Sequence, residues 1–170
     1  MTRSAQITVI GNAQASDQTA KLAEQAGEVL GRLAPTIVCG GRGGVMEAVS
    51  RGAKRAGATV VGILPGDSLD DGNEFLDVVI PSGIGYARNV TNVLAGDVVV
   101  AIGGACGTLN EITFAWMYGR PVVALVGAGG WADRLAGQPV DDRRDDVIEA
   151  ARSIDELETI VRKHLSQLGH

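Results

Sequence analysis

The chain has 170 residues, of which 45% are hydrophobic and 21% charged, as expected of one globular domain built around a single core. A net charge of −5, the lack of a basic run and an aromatic content of only 4% argue against a nucleic-acid partner. The sequence shows neither a charged leader followed by an apolar run nor a stretch of roughly 18 apolar residues, so we expect a cytoplasmic protein with no membrane partner.

The first half of the chain alternates apolar runs with amphipathic stretches. The β-branched run 6–11 predicts a strand, and Ser16 or Asp17 can cap the helix that follows it up to Leu33. Pro35 stops that helix. We then expect a strand over 36–39, a glycine loop over 40–44, a helix to 56, a strand over 59–64, a polar loop over 67–73 and a short strand over 78–80.

The second half continues the same pattern. We expect a helix over 86–95, an apolar strand over 97–102, a glycine loop over 103–108, a helix to about 118, a strand over 121–126, a short helix over 131–135, an edge strand over 147–150 and a closing helix over 154–168. Apolar strands separated by helices indicate a parallel sheet covered on both faces. The predicted fold is therefore α/β, a Rossmann-like, doubly wound parallel sheet of six or seven strands.

The 24 glycines cluster where predicted strands end. Two loops share one pattern: glycines follow a predicted strand, and a glutamate lies four residues after a loop glycine, as Glu47 after Gly43 and Glu111 after Gly107. The glycines of these loops are Gly40, Gly41, Gly43, Gly44, Gly103, Gly104 and Gly107. The carboxyl ends of parallel strands share one edge of a sheet, and glycines before a helix N-terminus suit an anion. The pair of loops predicts a phosphate-binding site, while the alternative is that the glycines only make tight turns and close packing.

Several well-known site motifs are absent. The sequence has no G-x-x-x-x-G-K-[ST], and Gly11 and Asn12 stand where G-x-G-x-x-G would follow the first strand. A P-loop NTPase and a dinucleotide dehydrogenase are therefore disfavoured. The only histidines, His164 and His170, lie at the C-terminus, which argues against a Ser-His-Asp triad, a Cys-His pair and a histidine-rich metal site.

Charged residues near the loops have competing interpretations. Glu111 completes a capping box with Thr108, which explains it without a ligand; as a functional carboxylate, it would face ribose hydroxyls or an anomeric carbon rather than a phosphate. Glu47 has the same two interpretations, with the structural one favoured. Arg88 lies near a predicted helix N-terminus, where a cation is unfavourable; this favours a bound anion, and the alternative is a solvated surface arginine. Arg42 within the first loop is a weaker case of the same kind.

Four other residues are predicted to be structural. Cys39 and Cys106 fit neither a metal-binding nor a redox spacing, and Cys106 is expected to be partly buried just before a helix. Trp116 and Met117 fall on the apolar side of the following helix, which predicts that both belong to the core.

Residues 40–47, 62–66, 87–89 and 103–111 resemble the Lonely Guy (LOG) superfamily, a group long mislabelled as lysine decarboxylases, and the resemblance runs from residue 6 to about 126. One branch hydrolyses nucleoside 5′-monophosphates to a free base and ribose 5-phosphate, and resemblance to it implies that Arg88 and Glu111 are catalytic. Ile102, Asn89 and Asn110 depart from that branch, which has Pro, Lys and Glu at these positions.

The stretches 62–66 and 87–89 are more similar to a short branch that includes the molybdenum-cofactor carrier proteins. Those bind a phosphorylated pterin without transforming it and often form dimers or tetramers. The resemblance implies a homo-oligomeric binding protein for molybdenum cofactor, with the hydrolase as the alternative. No cofactor is expected to be required for catalysis. The predicted ligand-binding residues are Gly11, Asn12, Gly40, Gly41, Arg42, Gly43, Gly44, Val45, Met46, Glu47, Pro65, Arg88, Asn89, Gly103, Gly104, Gly107, Thr108 and Glu111, and no metal ligand is predicted.

Overall fold

Residues 3–170, which the computed structural model describes, form seven strands and six α-helices. The strands are β1 (Gln6–Gly11), β2 (Thr36–Cys39), β3 (Thr59–Leu64), β4 (Val78–Pro81), β5 (Val98–Ile102), β6 (Val122–Leu125) and β7 (Glu149–Ala151). The helices are α1 (Asp17–Leu33), α2 (Val45–Arg55), α3 (Arg88–Leu94), α4 (Cys106–Met117), α5 (Gly130–Leu135) and α6 (Ile154–Gln167). Short 3₁₀ turns occupy Leu69–Asp71 and Gly85–Ala87.

All seven strands are parallel and lie in the order β4-β3-β2-β1-β5-β6-β7. The direction of winding reverses between β1 and β5, which pair from Ile7 opposite Val98 to Gly11 opposite Ile102. This confirms the predicted Rossmann-like fold. In such sheets the crevice beyond the carboxyl ends of the strands at the reversal is the usual place for a ligand.

Helices cover both faces of the sheet because successive strand residues point to opposite sides. On one side, Ile7 and Val9 of β1 pack in a core with α1, α2 and α6. On the other side, Val99 of β5 packs with Ile112 and Trp116 of α4. No helix within residues 3–170 is long and apolar enough to cross a membrane.

Two predictions about α4 are wrong. Met117 is 52% exposed rather than part of the core, whereas Trp116 is buried as predicted. Cys106 is exposed rather than partly buried, because it is the first residue of the helix and lies at the surface. Cys106 and Met117 are the first and last residues of α4, where burial depends on the neighbouring segments rather than on the apolar pattern of the helix.

Candidate functional site

A cavity of about 510 Å³ lies beyond the carboxyl ends of the strands, next to the reversal between β1 and β5. Its volume is within the range of small-molecule sites. At the bottom of the cavity the wall consists of buried polar side chains, such as those of Asn92 and Glu111. At its mouth the wall is exposed to solvent. It is formed by Ile10, Gly11, Asn12, Ala13, Gly40, Arg42, Met46, Pro65, Gly85, Tyr86, Arg88, Asn89, Asn92, Ala105, Gly107, Thr108 and Glu111.

Asn12 connects β1 to both glycine loops. Its backbone carbonyl accepts the N–H of Val45, the first residue of α2, at 2.9 Å. Its side-chain oxygen accepts the N–H of Gly104. Because these two amides are already bonded to protein, they are not the donors that hold a ligand. Asn12 instead fixes the two loops at the edge of the cavity.

The first turn of α4 forms one wall of the cavity. Ala105, Gly107 and Thr108 line the cavity here, and the helix begins at Cys106 without a side-chain cap. The first N–H groups of a helix have no intrahelical acceptor, and the positive end of the helix dipole adds to their pull on an anion. A Cβ atom added at Gly107 would meet nothing within 4 Å, so packing does not require glycine here. This turn can therefore hold a phosphate.

The floor of the cavity holds a buried carboxylate. One oxygen of Glu111 accepts a hydrogen bond from the side-chain amide of Asn92 at 2.7 Å and lies 3.3 Å from an Nη atom of Arg88. Burial raises the pKa of Glu111 to about 7, although the Asn92 hydrogen bond and the Arg88 charge both act to lower it. The Nε of Arg88 and the side-chain oxygen of Asn92 are buried without a partner. The floor is thus a polar cluster whose hydrogen bonding is incomplete.

The predicted capping box does not form. Ala105 rather than Thr108 precedes the helix, so Glu111 lies in its second turn and bonds Asn92 and Arg88 across the cavity floor. The helix begins three residues earlier than a Thr108 cap requires because Gly103 and Gly104 leave β5 in a tight turn with φ of +62° and +108°. A capping role therefore does not explain the glutamate at position 111.

Seven of the predicted ligand-binding residues lie outside the cavity wall: Gly41, Gly43, Gly44, Val45, Glu47, Gly103 and Gly104. Close packing accounts for most of these glycines. Gly44 has φ of +66°, and a Cβ atom there would lie 2.5 Å from the carbonyl of Asn12. Packing thus explains Gly41 and Gly44 of the first loop, whereas Gly40 and Arg42 of the same loop are among the eleven predicted residues that line the cavity.

Six wall residues are missing from the predicted set: Ile10, Ala13, Gly85, Tyr86, Asn92 and Ala105. A helical spacing could have indicated Asn92, because it lies four residues after Arg88 on the same face of α3. Nothing in the sequence pattern indicated Tyr86, which comes from the loop before that helix.

The parallel sheet and the cavity at its reversal define a Rossmann-like small-molecule-binding protein. The chain belongs to the SLOG cluster4 family, whose sequence model matches residues 4–158. It is 40% identical over 120 residues to an uncharacterized protein of Archaeoglobus fulgidus, covering 71% of this chain and 79% of that protein. The predicted membership of the LOG superfamily, in the branch of the molybdenum-cofactor carriers, is confirmed.

Solved structures support the same assignment. TM1055, a structural-genomics target, superposes with a TM-score of 0.85 at 34% identity, over 94% of this chain and 99% of that one. A molybdenum cofactor binding protein from Rippkaea orientalis gives 0.83 at 31% identity, over 97% and 99%. The molybdenum cofactor carrier protein from Chlamydomonas reinhardtii gives 0.84 at 29% identity, over 96% and 99%.

Proposed function

We propose that this protein binds a phosphorylated pterin, as a carrier of molybdenum cofactor, and does not transform it. The observation that carries the proposal is the first turn of α4, which has no side-chain cap. Gly107 in this turn faces the cavity, and packing does not require a glycine there. Phosphate on this turn would leave the rest of the cavity for the ring. Similarity along the whole chain to two proteins named for binding or carrying this cofactor supports that ligand class.

The side chains present fit such a group. The cavity combines a helix N-terminus for a phosphate with the apolar side chains of Ile10, Met46 and Pro65 for a ring. Within residues 3–170, no group of three or more His, Cys, Asp or Glu side chains is placed to hold a metal ion. The residues of the wall would accordingly hold the pterin and its phosphate, and the pterin would bring the metal.

The direct test is to analyse what the purified protein binds. Protein expressed in a host that makes molybdenum cofactor should yield pterin, detected by fluorescence after oxidation, and molybdenum, detected by mass spectrometry. Arg88→Gln should reduce the pterin content roughly 10- to 100-fold, because Arg88 is the cation at the cavity floor. Arg162→Gln, at a residue whose side chain is 61% exposed on α6, is the matched control. The absence of pterin binding at micromolar concentrations would refute the proposal.

A second function is favoured by Glu111. A carboxyl group whose pKa is raised to about 7 suits general acid–base chemistry at neutral pH, and Arg88 lies beside it. In an N-glycosidase acting on nucleoside 5′-monophosphates, this carboxylate would stabilise the oxocarbenium-like ribose and orient water. Incubation with a panel of monophosphates and chromatography for free base tests this activity. Full activity of Glu111→Gln would refute the role of Glu111.

We also propose that the protein is a homo-oligomer, a dimer or a tetramer. Leu94, Met117 and Tyr118 expose apolar surface near the C-terminal ends of α3 and α4. Light scattering on the purified protein would give the mass, and a strictly monomeric protein would refute the proposal.

A further inference from the structure

The mouth of the cavity carries an aromatic ring whose exposure the fold does not explain. Tyr86 is 84% exposed, more than any other large hydrophobic residue within 3–170, and yet it lines the cavity. Exposed single hydrophobic residues are common on protein surfaces. What distinguishes Tyr86 is its position, above a floor made of the polar groups of Arg88, Asn92 and Glu111.

The turn that carries Tyr86 is held firmly to the neighbouring turn after β3. Ser82 N–H donates to the carbonyl of Leu64 at 3.0 Å, Gly83 N–H to that of Gly66 at 2.9 Å and Gly85 N–H to that of Pro65 at 2.9 Å. Gly83 and Gly85 have φ of +66° and +58°, so the chain folds back sharply on both sides of Ile84. The backbone is thus fixed where it presents the ring at the mouth, which keeps the entropic cost of using that ring low.

We propose that Tyr86 stacks on the planar heterocycle of the bound ligand and so determines that the site prefers a ring-bearing phosphate to a simple sugar phosphate. This inference rests on the proposed function, since it needs a phosphate on α4 and a ring between that phosphate and the mouth. Aromatic side chains stack on the π-face of any base, so Tyr86 provides affinity without reading the edge of the ring. Discrimination among rings would then come from the polar floor.

The test compares two probes that differ by the ring. Guanosine 5′-monophosphate carries a fused pyrimidinone ring like that of a pterin, whereas ribose 5-phosphate carries only the sugar and phosphate. Titration calorimetry gives the dissociation constants of both for the wild type, Tyr86→Phe and Tyr86→Ala, with chromatography to verify that the nucleotide stays intact. The matched control is Leu69→Ala, since Leu69 is 63% exposed and lies outside both the cavity and the apolar surface proposed for oligomer contacts.

We expect Tyr86→Ala to weaken the nucleotide roughly 5- to 100-fold and to leave ribose 5-phosphate unchanged. Tyr86→Phe should keep wild-type affinity because it keeps the ring, and Leu69→Ala should have no effect. An unchanged ratio of the two dissociation constants in Tyr86→Ala would overturn the role of Tyr86 while leaving the proposed function intact. Failure of the wild type to prefer guanosine 5′-monophosphate to ribose 5-phosphate would also overturn the role of Tyr86, whereas the proposed function is refuted by the separate analysis of bound pterin.

Discussion

Loss of the proton from buried Glu111 should make the stability of this protein fall as the pH rises towards neutrality. The folded protein keeps a proton on the buried carboxyl up to about pH 7, whereas the unfolded chain releases it near the ordinary value of 4.5. Between these two pH values the folded state binds more protons than the unfolded state, so the free energy of unfolding decreases as pH increases. The contribution is fully present below pH 4.5 and is lost by the time the pH passes about 7.

The size of the effect follows from the same two values. Each pH unit across this interval changes the free energy of unfolding by about 1.4 kcal/mol, which gives about 3 kcal/mol between pH 4.5 and 7. Glu111 is only 6% exposed, so solvent screens this cost little. Glu111→Gln removes the titrating group while keeping an oxygen that can accept the amide N–H of Asn92.

Urea denaturation of the wild type and Glu111→Gln from pH 5 to 8.5, followed by tryptophan fluorescence, measures this contribution. The difference between the two proteins cancels the other titrating groups, and the interaction of Arg88 with the ionised carboxylate is already contained in the pKa of about 7. We expect the variant to gain up to about 3 kcal/mol relative to the wild type as the pH rises. A difference in the free energy of unfolding that does not change with pH would show that the pKa of Glu111 is not raised and that water reaches the floor of the cavity.

Three further substitutions test the loops and the sheet. Gly107→Ala should keep the melting temperature of the wild type, or raise it, because alanine favours a helix and the added methyl group meets only the cavity. The same methyl group should reduce ligand affinity, and retained affinity would contradict the phosphate site on α4. Gly44→Ala should lower the free energy of unfolding by at least 1 to 3 kcal/mol, by chemical denaturation, because φ is +66° and the carbonyl of Asn12 lies in the way; a neutral change would show that the loop can relax. Asp97→Asn should cost about 1.5 to 3 kcal/mol at pH 7, because the amide can still accept the N–H of Gln6 but cannot replace the buried carboxylate that pairs with the Arg3 guanidinium. Arg3 holds the pKa of Asp97 below its usual value, so this penalty should disappear as the wild type is acidified through that lowered pKa, and a penalty independent of pH would contradict the ion pair.

Local sequence determined much of the fold. The bounds of β1, β2 and β3 match the prediction residue for residue, because each is a short apolar run closed by glycine or proline. The alternation of strands with helices was enough to give a parallel sheet, since parallel strands require crossover connections. The LOG-like motifs identified the family for the same reason, because they are continuous in the chain.

Only the tertiary structure decided which of these residues face the ligand cavity. Glu111 had a sufficient local explanation as a capping residue, and that explanation failed because the turn after β5 starts α4 at Cys106. Asn92 and Tyr86 reach the site from α3 and the turn before it, and their positions at the cavity depend on how that segment packs against α4. Local sequence defines which residues form a helix, but the rotation of that helix against the sheet is set by packing with distant segments, and this rotation separates the binding residues from the structural ones.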